Sequence, residues 1–428
     1  MTAAEGAQAP AAAAAPVPLR RNPGFRMLWI GQLLSATGSE IGLLAYPLLI
    51  LALTGSPVIA GVVGTATSLV SLCLRLPAGA LSDRLDRRLT MIVCDSVRAV
   101  VLALLAVLVL LHAVSWPVVM IVALIDKGGG SIFDPSSGAA LPAIVADEQL
   151  EQAWAATEGR TFAASLAGPA LGGVLFALAR AVPFVTDAAS YLVSAGTVRR
   201  IRGEFKPART VERKRLWREV ADGLRFVWAE PILRAVVVQA PLINFAFNGV
   251  IFAITVALRK HGTSTDVIGF VQAGIAVGGL IGAVLAARFQ GRLRLSVLVV
   301  SISFAGAVLF GVAALLIPAA LVAAPVALAL LLAPAANAAL FAAMLRVTPE
   351  EMRGRVNNTV LMMASALTTL APLTAGLLVQ HVSGGWAIGA FAVAMLAAAI
   401  LAAVLPGLRK AEAAAGSQRA GGTPAGSA

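Results

Sequence analysis

Residues 79–111 read GALSDRLDRRLTMIVCDSVRAVVLALLAVLVLL, and the change of character at Leu89 decides the fold. Ten residues carrying three arginines and two aspartates give way to 23 that are almost all apolar. A helix rises about 1.5 Å per residue, so about 20 apolar residues cross a hydrocarbon core about 30 Å thick. The stretch therefore predicts a membrane-crossing helix entered from a short, positively charged loop. Within it Asp95 and Arg98 lie one helical turn apart and predict a charge pair on a single face.

The same alternation recurs along the 428 residues. Spans are predicted at Phe25–Leu51, Pro57–Leu81, Leu89–Leu111, Trp116–Leu141, Ala155–Ala179, Pro183–Val198, Ile232–Leu258, Val267–Ala287, Leu293–Leu316, Ala320–Leu345, Asn358–Gln380 and Trp386–Leu405. Asp126, Lys127, a run of three glycines and Asp134 interrupt the fourth. Composition agrees with a lipid solvent, since 59% of residues are hydrophobic and 13% charged, against about 25% charged in soluble domains. The expected fold is an all-α polytopic membrane protein with twelve transmembrane helices in two pseudo-symmetric six-helix bundles.

Charge fixes the expected orientation. With the N-terminus in the cytoplasm, 27 of the 33 Lys and Arg fall in cytoplasmic segments and three in external loops, the asymmetry of the positive-inside rule. The expected organisation is a disordered cytoplasmic tail (1–24), a first bundle (25–198), a cytoplasmic linker (199–231), a second bundle (232–405) and a disordered cytoplasmic tail (406–428). In the linker, Leu216, Val220, Leu224 and Val227 recur at helical spacing and predict an amphipathic interfacial helix. The expected location is the inner (plasma) membrane, with both termini cytoplasmic.

Several function classes have no machinery here. Cys73 and Cys94 sit in apolar runs with no metal or redox spacing, the three histidines form no ligand motif, and no hydrolase or Walker string occurs. Neither a metal nor a cofactor is expected, and no enzymatic activity. The net charge of +12 reads as membrane orientation and not as a nucleic-acid surface.

Gly79, Asp83, Arg84, Asp86, Arg87 and Arg88 resemble the signature between the second and third spans of the major facilitator superfamily, G-x-x-x-D-R-x-G-R-R, with Asp86 at its second glycine. The variant is similar to the branch that includes enterobactin and macrolide exporters, as are Asp134-Pro135 and Pro349 to Val356. The resemblance implies a cytoplasmic latch in which Asp83 meets the N-terminus of the eleventh span and the arginines pair with groups such as Asp134, formed only when the halves close on that side. Residues 164–173 resemble the glycine-proline motif of antiporters, with Gly168, Pro169, Gly172 and Gly173 matching and Ala164 in place of the first glycine; in the family this motif accompanies export. Residues 371–376, in the eleventh span, echo it.

Ionisable groups inside the membrane are functional candidates. Glu40 lies 11 residues before the outer end of the first span and Lys127 lies 11 after the outer start of the fourth, so both are roughly 16 Å deep, near the midplane. The family fold puts both spans on the central cavity, which makes Glu40, Asp126 and Lys127 the proton- or substrate-coupling candidates and Glu40–Lys127 an expected ion pair. Asp95 and Arg98 on the third span are expected to pair locally, and Asp187 to be structural. Gln239, Asn244, Asn248, Gln272 and Asn337 read equally as substrate contacts or as interhelical hydrogen bonds.

The expectation is a monomeric secondary transporter using protons to export an amphipathic small molecule such as a drug, siderophore or secondary metabolite. Import of a small nutrient is the alternative within transport, and a non-transporting receptor or scaffold the alternative outside it.

Overall fold

The computed structural model describes residues 18–82, 84–201, 216–289, 295–317 and 320–404. Asp83, residues 1–17 of the first expected tail, the second expected tail and linker residues 202–215 lie outside these residues. Among the described residues the chain is a succession of helices with no strand: α1 (Pro23–Thr54), α2 (Pro57–Ser82), α3 (Arg87–Leu110), α4 (Trp116–Ala140), α5 (Leu150–Leu178), α6 (Val182–Arg200), α7 (Leu216–Ala229), α8 (Pro231–Lys260), α9 (Thr265–Phe289), α10 (Leu295–Leu316), α11 (Ala323–Val347), α12 (Arg353–Ala366), α13 (Ala371–His381) and α14 (Gly384–Val404). Eleven spans among them are long and apolar enough to cross a membrane, with α12 and α13 forming one. The expected twelve are met approximately. The sixth, α6, lies against α1 and α3, but Asp187, Ser190, Ser194, Arg199 and Arg200 hold its hydropathy below that of the others. Large apolar side chains such as Leu178, Val284, Leu315 and Val404 project outward, a surface suited to lipid and not to water.

Local chemistry explains where helices start and break. Asn22 caps α1 by accepting from the Phe25 amide at 3.1 Å, and its own amide donates to Ile144 O at 2.9 Å, tying this cap to the far end of α4. Gly55 ends α1 at φ 66°, a left-handed geometry that favours glycine. The eleventh span is not continuous as the sequence reading had it. A 3₁₀ turn at Leu367–Leu370 separates α12 from α13, because Pro372 lacks the N–H that an unbroken helix would donate. The amphipathic helix α7 forms, and it rests on α12 and α8: Val227 is fully buried beside Val356 and Leu233, while Leu224 and Trp228 stay partly exposed.

The helices alternate in direction, giving two faces. Face A holds the start of α1 and residues 84–88; face B holds Gly55, His112, His261 and His381. Helices α1–α6 pack mainly with one another, as do α8–α14, and the halves meet chiefly through α5 against α9 and α2 against α13. These contacts lie toward face B. Gly173 adjoins the backbone of Thr265 and Gly269, Gly376 adjoins Pro57, and Ser56 Oγ donates to Gln380 Oε1 at 3.1 Å. The core follows this asymmetry. One hydrophobic cluster runs through both halves toward face B, from Leu48 and Phe184 to Phe247 and Phe391. Toward face A it divides into separate clusters, one around Phe25, Phe133 and Leu141 and another around Leu233, Met344 and Val356.

Candidate functional site

The polar centre of the first half is built where α1, α3, α4 and α6 converge. Arg98 of α3 is buried, and its Nε donates to Asp126 Oδ1 of α4 at 2.8 Å. Its Nη2 donates to Ser39 Oγ at 3.1 Å and to the Tyr191 hydroxyl, and the guanidinium carbon lies 3.8 Å from the centre of the Tyr191 ring. Asp126 also accepts from Tyr191 at 3.2 Å and, through Oδ2, from Tyr46 at 3.1 Å. One carboxylate thus collects a cation and two phenols. A buried ion pair persists only with such secondary hydrogen bonds, because desolvating both charges costs several kcal/mol per ion.

The expected local pair is present, and the arrangement adds a shorter one to it. Asp95 remains within 3.8 Å of Arg98 Nη1, but the stronger bond goes to Asp126 on the neighbouring helix. Both Asp95 oxygens are buried without a hydrogen-bond partner. Asp187 of α6, also fully buried, has no partner for Oδ2 and lies on the notch made by Gly38 and Gly42 of α1, where a methyl group on Gly38 would overlap its Oδ1.

Glu40 occupies the other side of α1. Gly168 of α5 is placed so that a methyl group there would collide with Glu40 Cβ, and Gly172 fits against the backbone of Ile41. Gly173 turns the opposite way and meets Gly269 of α9, where an added Cβ would lie 2.8 Å from the Gly269 Cα. The segment 168–173, with Pro169 inside the helix, therefore packs tightly on two sides at once, against α1 at Glu40 and against the second half. The echo segment does the same from the other half, with an added Cβ on Gly61 lying 2.6 Å from Pro372 O.

Lys127 is exposed, and among the described residues it makes no ion pair with Glu40 within 4 Å. Its charge still bears on Glu40 electrostatically. Adjacent residues Asp126 and Lys127 thus differ in burial, being turned about 100° apart around the helix.

In the residue 79–88 loop, Asp86 caps α3 by accepting from the Leu89 amide at 3.2 Å. Arg87 donates to Ala139 O at 2.8 Å and to Ser82 O at 3.4 Å, so it holds the end of α4 through a carbonyl and not through Asp134. Asp134 is exposed and makes no ion pair within 4 Å among the described residues. Arg84 is exposed, Arg88 is half-buried, and Gly79 faces open space.

Sequence reasoning missed a second polar cluster. Near face A, Arg160 of α5 donates to Gln32 Oε1 of α1, and the Gln32 amide donates to Ser137 of α4, beside a small groove lined by Trp29 and Trp154. The only signal was an arginine ten residues into α5, two residues after Glu158. In the second half, Gln272 donates to Ile251 O at 3.1 Å, Asn244 to Ala364 O at 3.2 Å and Asn248 to Asn244 O at 2.9 Å; these amides serve as hydrogen bonds within and between helices.

Comparison with known proteins agrees with this architecture. The family model described as transmembrane secretion effector, a branch of the major facilitator superfamily, matches residues 12–423. The multidrug efflux pump Tap of Mycolicibacterium fortuitum is 28% identical over 276 residues, which is 62% of this chain and 66% of that pump, just under two thirds of its length. The enterobactin exporter EntS of Salmonella typhimurium is 25% identical over 351 residues, covering 79% of this chain and 82% of that exporter. In shape, the chain is similar to a bacterial homologue of the iron transporter ferroportin. Its inward-facing structure gives a TM-score of 0.70 at 16% identity, covering 89% of this chain and 97% of that one. Its outward-facing structure gives 0.59 at 19%, covering 91% and 99%. The chain belongs to the major facilitator superfamily, in the family of transmembrane secretion effectors, and is a multi-pass membrane transporter and not an enzyme.

Proposed function

We propose that this transporter exports an amphipathic organic molecule, such as a drug, siderophore or secondary metabolite, across the inner membrane in exchange for protons, by alternating access. The observation that carries this reading is the clamp at Gly168–Gly173, which joins a membrane carboxylate, Glu40, to the contact between halves. A movement that parts α5 from α9 must be felt at Glu40, which is what a coupled antiporter requires. Export is further supported by the naming of Tap and EntS as an efflux pump and an exporter. Two compact halves, 25–198 and 232–405, rock against one another, joined by the segment that carries α7.

Face A is read as cytoplasmic, with both termini on that side, because 27 of the 33 basic residues fall on that side. The conformation is then inward-facing: the divided core at face A and the better fit to the inward-facing ferroportin homologue support this. The latch around Gly79, Asp83 and Arg84–Arg88 belongs to the opposite state, where Gly79 meets the second half. Glu40 exchanges the proton, with Lys127 and the Asp126–Arg98 pair setting its surroundings, and the substrate enters between the halves.

The test is a substrate-screened transport assay in proteoliposomes with an imposed pH gradient. Uphill export that follows the gradient, and is lost in Glu40→Gln while substrate binding persists, is the expected result. Transport indifferent to the gradient refutes proton exchange.

A further inference from the structure

Resting on the proton-driven reading above, we propose that Asp187 is a second proton-carrying carboxyl of the cycle, neutral in this conformation and ionised in the opposite one. Three carboxyls, Asp95, Asp126 and Asp187, are buried around the single guanidinium of Arg98. With all three ionised the cluster would hold two uncompensated negative charges in a region closed to water, a cost that burial does not tolerate. Asp126 has taken the cation at 2.8 Å and both phenols.

The geometry singles out Asp187 from the remaining two. Asp95 keeps Arg98 within 3.8 Å, whereas Asp187 has no cation within 4 Å among the described residues. Its Oδ2 has no partner at all. Its Oδ1 faces Ser190 Oγ at 3.4 Å, but that hydroxyl has one proton and already gives it to the Asp187 carbonyl at 2.7 Å. The Tyr191 hydroxyl also reaches this carboxyl but gives its one proton to Asp126 at 3.2 Å, so a carboxylate here would have only shared donors and no cation, and the neutral acid is the form that the site accommodates.

The seat of this carboxyl moves with transport. It lies on Gly38 and Gly42, on one side of α1, while Glu40, two residues along and about 200° around the helix, lies on Gly168 on the other. Where the parting of α5 from α9 draws α1 away from α6 within the first half, Asp187 is uncovered in the same motion that frees Glu40. The groups facing Asp187 are Tyr46 from α1, Asp95 and Arg98 from α3, Asp126 from α4, and Ser190 and Tyr191 from its own helix. Glu40 is turned toward α5 and Lys127 is exposed. When face B opens, the ionised carboxylate takes a proton from water on that side, forming the O–H bond that is carried into this conformation, and that bond breaks when the proton passes to water at face A. In the open state water solvates the carboxylate, since Arg98 is committed to Asp126 at 2.8 Å.

The first two measurements need no substrate. Infrared spectroscopy of the protein in liposomes at neutral pH should show the carbonyl band of a protonated carboxylic acid, lost in Asp187→Asn and retained in Asp126→Asn. In a Cys73→Ala, Cys94→Ala background, spin labels at Glu158→Cys and Glu351→Cys, both exposed near face A, report its opening. Raising the pH should shift wild type toward the short separation, while Asp187→Asn, which mimics the neutral acid, should hold the long separation throughout. A band unchanged in Asp187→Asn, or separations that follow pH in that variant as in wild type, overturns the proposal. Wild-type export that ignores a pH gradient removes the proton-driven reading and the carrier role together. Coupled wild-type export with an unaltered Asp187→Asn variant removes Asp187 alone.

Discussion

Arg98 binds Asp126 on the neighbouring helix at 2.8 Å and leaves Asp95, one turn away on its own helix, at 3.8 Å. Removing one partner of a buried pair strands the other charge, at a cost of about 3–5 kcal/mol. Arg98→Ala should therefore lower thermal stability in detergent severely. Arg98→Met combined with Asp126→Leu should recover much of that loss, because neither charge of the pair is then stranded. Equal loss in the single and double variants would assign the effect to packing.

Glycine substitutions should separate the two ends of the molecule. Gly168→Val forces α1 from α5 at Glu40, and Gly173→Ala forces α5 from α9, so both should impair transport and destabilise the protein by more than 1 kcal/mol. Gly79→Ala meets open space in this conformation. Its stability here should change by no more than about 0.5 kcal/mol, while transport falls because the closed state at face A is penalised. Thermal unfolding set beside transport rates checks the contrast.

Two aspartates three residues apart should behave differently. Asp86 caps α3, so Asp86→Ala should cost about 1 kcal/mol of stability. Asp83→Asn should instead leave the protein folded, reduce transport, and make face A more accessible to a thiol probe.

Most of the architecture was legible because hydrocarbon imposes a length of about 20 apolar residues, which Leu89–Leu111 or Trp386–Leu405 satisfy without reference to neighbours. The break at Leu367–Leu370 had its signal in Pro372, but the residues around it are apolar enough to read as continuous. The polar centre was harder to foresee. Asp95, Arg98, Asp126 and Asp187 were all visible as membrane charges, yet which of them meet depends on how α3, α4 and α6 are rotated. One helical turn separates Asp95 from Arg98 in sequence, and the facing helix supplies the shorter bond. Asp187 stood out even less, because its significance lies in the absence of a paired cation among the described residues, which no linear pattern displays.

Orientation can be checked directly. Reporter fusions after Arg88 and Arg355 should report cytoplasm, and fusions near His112, His261 and Ser383 the outside, as the charge distribution requires. The reverse pattern would make this conformation outward-facing.

In this account transport requires the halves to part at face B. Ser56 of the α1–α2 turn and Gln380 of α13 are joined there by a 3.1 Å hydrogen bond. In a background lacking Cys73 and Cys94, Ser56→Cys and Gln380→Cys should be linked by a short bifunctional thiol reagent that a reductant cleaves. Transport of the screened substrate in proteoliposomes should cease on linking and return on cleavage, whereas undiminished transport with the link intact would contradict alternating access at this interface.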